Sequence, residues 1–242
     1  MGHRSGTEGC GMAFAIQSRP RVCVLLFCTG ILLESGAVAW AQDEAQVQVL
    51  VYDESRVQGS VLEAGELEAS RIFRMAGIRL AWFNCSTRLP DPEKEHCRFV
   101  PEARQFVLRL IPKGKTSSDL VFGQAFLGEG GMGTYADVFT DRIKAAHEEY
   151  EMNVSLLLGA VVAHELGHLL LGFQGHSWDG IMTPVWGLEC LRRIGMGSLL
   201  FTHEQGARMQ CRLGQGEPRK CPQHGFEARC LRCAPQPACV KP

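Results

Sequence analysis

No excess of charge of either sign runs through this sequence: 25 Lys and Arg stand against 26 Asp and Glu in 242 residues. Setting aside residues 1–41 removes three basic and two acidic groups and leaves 22 against 24. Such a balance lacks the basic field that would attract nucleic acid or an anionic membrane surface, so neither partner is expected. The N-terminal region also lacks an apolar run of membrane-spanning length. "VCVLLFCTGILL" (Val22 to Leu33) is shorter than the roughly 18 to 20 residues that a spanning helix needs, so no stable membrane span is expected. No internal repeat is evident, and the roughly 200 residues beyond this region suffice for one domain with a sizeable core.

What the N-terminus does contain is the pattern of an export signal. Arg19 and Arg21 form a basic segment, the apolar run follows, and Ala39-Trp40-Ala41 is an A-x-A site. Cleavage after Ala41 is expected, with residues before Arg19 read as an upstream extension or a misplaced start codon. Phe27 is a poor residue before a lipidated cysteine, which speaks against lipidation at Cys28. The first strand begins so close to this site that no N-terminal propeptide is expected. The protein is therefore expected to be secreted or periplasmic.

Cysteine usage agrees, because the 11 cysteines leave eight after residues 1–41 are removed, an even number that favours disulfides in an oxidising compartment. Cys85 and Cys97 flank a Pro-rich, charged loop and are expected to pair. Cys190, Cys211, Cys221, Cys230, Cys233 and Cys239 permit several pairings; Cys221, His224, Cys230 and Cys233 could alternatively hold a small zinc knuckle. From residue 214 the composition turns to Gly, Pro, Arg and Cys, so residues 214–242 read as a disulfide-tied tail behind a domain spanning 42–213.

Within that domain, "QVQVLVYD" (Gln46 to Asp53) alternates like a strand, and Val61 to Met75 has helical spacing with Gly65 as a flaw and Gly77 as its stop. Further strands are expected at Ile78 to Phe83, Gln105 to Ile111, Leu120 to Leu127 and Thr134 to Phe139. Asn153 can cap a long helix from Val154 to about Leu171, ended by Gly172. One or two C-terminal helices follow, with Thr202 as a possible cap. The order predicts an α+β fold, a mixed twisted sheet with a helix packed on it and a second, long helix carrying the chemistry.

That long helix continues into "AVVAHELGHLLLGFQGHSWDGIMTP" (Ala160 to Pro184). His164 and His168, four residues apart, share one helix face, so two imidazoles can bind one zinc ion while Glu165 reaches a water. A pair of half-buried core histidines is the plainer alternative. Against it stands the glutamate itself: Val161 to Ala163 and Leu169 to Leu171 make its surroundings apolar, and a buried carboxylate is costly unless paired or metal-linked. Gly172 can turn the chain back so that His176 becomes a third ligand, and Met182 lies in a tight-turn sequence, Gly180 to Pro184.

These residues resemble the metzincin clan of zinc peptidases, whose pattern is H-E-x-x-H-x-x-G-x-x-H followed by a methionine-containing turn. Gly172 comes eight residues after His164 and His176 twelve, one and two positions later than in that pattern. Ser177 resembles the matrixin branch, and the arrangement is also similar to a group of exported bacterial proteins predicted to be metallopeptidases. The resemblance implies Zn2+ as cofactor, His164, His168 and His176 as metal ligands, Glu165 as general base, Met182 as the floor of the site, and a peptide or protein substrate lying along an edge strand within Phe122 to Phe139. A thermolysin-like arrangement would instead take Glu189, or the more distant Glu204, as third ligand. Trp178 and Trp186 are read as packing residues, and His96, His147 and His203 as surface residues. The leading functional expectation is an exported zinc metalloendopeptidase; a catalytically inactive zinc-binding module and a purely structural disulfide-rich protein are the alternatives.

Overall fold

Val47, Val49 and Val51 recur at every second position of one strand, and all three are buried on one face of a sheet, while Leu50 between them belongs to a smaller cluster on the other. The computed structural model describes residues 45–85, 97, 104–114 and 121–214, all within one unit spanning Gln42–Pro242. The expected export signal, the tail cysteines with their possible zinc knuckle, His96 and His224 lie outside the described residues.

Strands β1 (Ala45–Asp53), β2 (Ile78–Asn84), β3 (Gln105–Ile111), β4 (Gly123–Phe126) and β5 (Tyr135–Phe139) form a five-stranded sheet in the order β2-β1-β3-β5-β4. All neighbours are parallel except β4, which runs antiparallel to β5 at one edge. Register aligns the inward faces: Val49 pairs with Phe106, Val51 with Leu108 and Leu110 with Val138. Helices α1 (Gly59–Met75) and α3 (Val154–Leu171) share the principal core with these residues. The second cluster gathers Leu50 and Val107 with Cys85 and Cys97, which are disulfide-bonded as expected. Cys190 and Cys211, two of the six cysteines whose pairing the sequence left open, are also disulfide-bonded.

Gly65 is not a flaw in α1 but the place where α1 crosses α3. A Cβ there would lie 2.9 Å from Leu158, and one on Gly159 would lie 2.6 Å from the Gly65 carbonyl oxygen. Two glycines at one crossing let the backbones approach closely, so helix propensity yields to packing. Helix α3 begins at Asn153, whose side chain accepts from the Leu156 N–H, and stops at Gly172, where φ is +74°. By length and composition the stretch Val154–Gln174 could cross a membrane, yet its apolar residues fill the core between sheet and α1.

Helix α2 (Thr140–Tyr150) has no counterpart in the sequence expectations. It is largely polar, buries only Ile143 and Ala146, and lacks a side-chain cap, so its periodic signal is faint. Helices α4 (Leu188–Gly195) and α5 (His203–Arg212) meet the C-terminal expectation, and Thr202 caps α5 in a reciprocal box with Gln205. His147 and His203 are exposed, as expected.

Candidate metal centre

The four-residue spacing on α3 puts His164 and His168 one turn apart, and their Nε2 atoms are 3.1 Å from each other. After Gly172 the chain makes a 3-10 turn, Gly172–Gln174, closed by a hydrogen bond from Gly175 N–H to the Gly172 carbonyl. Of the two extra positions relative to the metzincin pattern, one falls before Gly172 in α3 and one in the loop that holds this turn. His176 is thereby returned to the helix, its ring centre 4.6 Å from that of His168 and 5.6 Å from that of His164. Gly175 makes the return possible, because a Cβ there would stand 2.8 Å from His168 Nδ1.

One ring nitrogen from each histidine falls within 4.8 Å of the others. The His164 Nδ1 lies 2.7 Å from the Ile181 carbonyl oxygen, which can only accept, so Nδ1 carries the proton and Nε2 keeps a free lone pair. Burial lowers the pKa of His164 to about 4 and that of His168 to about 3, and it lowers that of His176 as well. All three rings are therefore neutral near pH 7, the form that binds metal. Tetrahedral zinc with bonds of about 2.0 to 2.1 Å would want ligand nitrogens roughly 3.3 Å apart, close to the His164–His168 spacing. The donor set fits a metal ion.

Glu165 points from the same helix turn toward the sheet edge and is only 6% exposed. Burial pushes its pKa up to about 8, with a smaller push from the Asp137 charge, against a hydrogen bond received from the Ala125 backbone N–H. Among the described residues, no Lys or Arg lines the cleft it faces. Edge strand β4 comes this close because residue 123 is glycine: a Cβ would lie 2.7 Å from both Cγ and Oε1 of Glu165.

Met182 is fully buried beneath α3, and a Cβ on Gly167 would touch its sulfur at 2.7 Å. The turn that carries it is tight. Gly180 has φ +80°, the Thr183 N–H donates to the Gly180 carbonyl at 3.2 Å, and the Ser177 N–H donates to the Met182 carbonyl at 3.0 Å. The segment around His176 and the methionine turn are thus directly tied.

These elements enclose a cleft of about 370 Å³ between β4 on one side and α3 with the Gly172–His176 loop on the other. Trp186 also lines it, its ring edge-on to His164 at 5.5 Å, so this tryptophan is part of the site and not only packing. Trp178 is not packing either, being 75% exposed. Glu189 does not line the cleft; it stands on α4 with both oxygens bonded to Arg192, at 2.6 and 2.8 Å. Glu204 is exposed in the first turn of α5. The thermolysin-like choice of third ligand therefore has no geometric basis here, whereas His176 joins the pair. Gly123 and the Ala125 N–H escaped the sequence reading, although a glycine inside a strand is a signal of close backbone approach.

No protein-family model matches the sequence, and no curated protein matches it either. Among solved structures, the chain is similar to an archaemetzincin from Methanopyrus kandleri, with 17% identity and a TM-score of 0.44 over 70% of this chain and 96% of that one. It is also similar to a zinc-dependent peptidase from Methanocorpusculum labreanum, with 16% identity and a TM-score of 0.44 over 66% of this chain and 99% of that one. The cluster of His164, His168 and His176 is consistent with the three-histidine site that the metzincin resemblance implies.

Proposed function

We propose that this protein is a zinc-dependent peptidase that hydrolyses peptide bonds with Glu165 as general base. The observation that carries this reading is the convergence of three neutral histidine nitrogens within 4.8 Å, next to a buried carboxyl with no basic side chain among the described residues of its cleft. His164 and His168 would hold the ion through Nε2, His176 through a ring nitrogen, and Met182 would support the site from below without binding metal. Zinc, when bound, supplies Lewis acidity that brings the pKa of a water toward about 7.

The remaining work falls to side chains and backbone of this chain. The Ala125 N–H orients the Glu165 carboxyl. In its carboxylate form Glu165 would accept the proton of the attacking water and hand it to the leaving amine nitrogen. Among the described residues strand β4 is hydrogen-bonded to β5 on one side only, and its other side borders the cleft. An extended peptide can lie along that side through main-chain hydrogen bonds.

We also propose that the protein is exported. The support is the segment from Arg19 to Ala41 together with the Cys85–Cys97 disulfide, a bond that persists in oxidising compartments. A mature protein recovered with Gln42 at its N-terminus would be the expected result; an intact N-terminus on cytosolic protein would refute it.

The test of the enzymatic reading is metal content followed by peptide cleavage. One zinc per chain, weakened by His176→Ala, with cleavage abolished by Glu165→Gln, is the expected outcome. Zinc binding without cleavage of any peptide in a diverse library would leave a binding module, and a chain that binds no zinc would overturn the proposal.

A further inference from the structure

Of the three histidines, His164 is held by the Ile181 carbonyl and His168 by the last turn of α3, where its backbone carbonyl accepts from the capping Gly172 N–H. His176 lies on an exposed loop, and its ring has no hydrogen-bond partner among the described residues. That loop is one residue longer than in the metzincin pattern, and extra length adds conformational freedom that something must remove. The backbone on either side of His176 shows what removes it.

Gln205 is 4% exposed and sits at the third position of α5. Its Oε1 accepts from the Thr202 N–H at 2.9 Å, which settles the orientation of the amide. The Nε2 end therefore points away from the cap, and it donates to Ser177 Oγ at 2.8 Å and, at longer range, to the Gly175 carbonyl at 3.5 Å. These are the residues immediately before and after His176. Ser177 is fixed in turn, donating through Oγ to the Asp179 carbonyl at 2.6 Å and through N–H to the Met182 carbonyl at 3.0 Å. One turn along α5, Arg208 donates to the carbonyls of Leu171 and Gln174, each at 3.3 Å, and so grips the start of the same loop.

We propose that Gln205 is a positioning residue for the third metal ligand: its amide ties the backbone flanking His176 to the capped start of α5. The inference rests on the zinc site proposed above. A capping box needs only the acceptor oxygen at this position, and glutamate serves that role as well as glutamine. The donor end is surplus to the cap and is used by the ligand loop.

Gln205→Glu separates the two roles, because it keeps the acceptor for Thr202 and loses the donor to Gly175 and Ser177. The metal-free variant is expected to retain wild-type helix content, with a lowered thermal midpoint because the new carboxyl is buried. Its zinc affinity, measured by competition with a chelator, should fall by about 10- to 100-fold, the range seen when outer-shell partners of metal ligands are removed. Loaded with cobalt, it should show weaker visible bands than the wild type as the third ligand loosens and the coordination number rises. Ser177→Ala leaves α5 untouched and should weaken zinc about 10-fold, and it decides the matter if Gln205→Glu does not fold. A Gln205→Glu protein, or in its place a Ser177→Ala protein, with wild-type zinc affinity and cobalt spectrum overturns the inference. Absence of zinc from the wild type would instead remove the zinc site itself, a separately recognisable failure.

Discussion

Two buried glutamates lie on the two helices that cross above the sheet, and their surroundings differ. Glu68 on α1, 8% exposed, receives two hydrogen bonds of 2.7 Å from Arg71 one turn away. Glu165 on α3 is buried to the same degree but, among the described residues, receives a hydrogen bond only from the Ala125 N–H. A buried carboxylate without a partner costs several kcal/mol, and a carboxyl avoids that cost by keeping its proton. The Glu165 pKa of about 8 is that response. Glu68 is a closed structural pair, while Glu165 stands open beside three histidines whose ring nitrogens could hold a metal ion.

The largest effect should come from exchanging the open carboxyl. Glu165→Gln is expected to lower kcat for peptide cleavage by about 10²- to 10⁴-fold, the usual contribution of a general base, while zinc stays bound. Steady-state kinetics with metal analysis on the same sample checks this, and unimpaired turnover would erase the distinction between the two glutamates. His176→Ala should weaken zinc by more than the roughly 100-fold that loss of an outer-shell partner causes, as read by chelator competition.

Protonation sharpens the contrast further. With a pKa of about 8, Glu165 is mostly protonated at pH 7 in the metal-free protein. Zinc binding should therefore release about one proton from Glu165 at pH 7 in addition to any from a metal-bound water, measurable by calorimetry in buffers of different ionisation enthalpy, and Glu165→Gln should release about one proton fewer. The signs for folding stability run in opposite directions. Glu165, raised above its ordinary 4.5, favours the metal-free fold fully below that pH, and the contribution is lost as pH rises through about 8. His164 and His168, lowered from 6.5, favour the fold above that pH, and their contribution is lost as pH falls toward 4 and 3. The metal-free thermal midpoint should decline on both sides, and Glu165→Gln should remove only the alkaline decline.

The smallest effect belongs to the closed pair. Arg71→Ala should cost about 1 to 2 kcal/mol by denaturant unfolding, a figure reduced because Arg71 is 38% exposed and screened by water. Zinc affinity and turnover should stay at wild-type levels. A change in either would mean that Glu68 communicates with the metal site.

Legibility in the sequence followed the range of the forces involved. Helix α3 could be read from cap to stop because Asn153, the apolar run and Gly172 act over a few residues, and the face shared by His164 and His168 follows from helix geometry alone. The strand cores were legible from alternation. Helix α2 was not, since burying Ile143 and Ala146 leaves too little periodic signal. Nor was the value of Gly65 or Gly123, because a glycine reads as weakness until the element packed against it is known. Trp186 reads as an ordinary packing residue in sequence and becomes a wall of the cleft once the methionine turn is folded against α3.

By itself the sequence determined the long helix, the adjacent positions of two imidazoles and a carboxyl on it, and the chemistry those groups can perform, since all of this is set by covalent order and a 3.6-residue period. Only the tertiary structure decided that His176 and not Glu189 completes the set, that β4 supplies the N–H for Glu165, and that α5 braces the ligand loop through Gln205. These are contacts between residues far apart in the chain, and their distances depend on how sheet, turn and helix pack together.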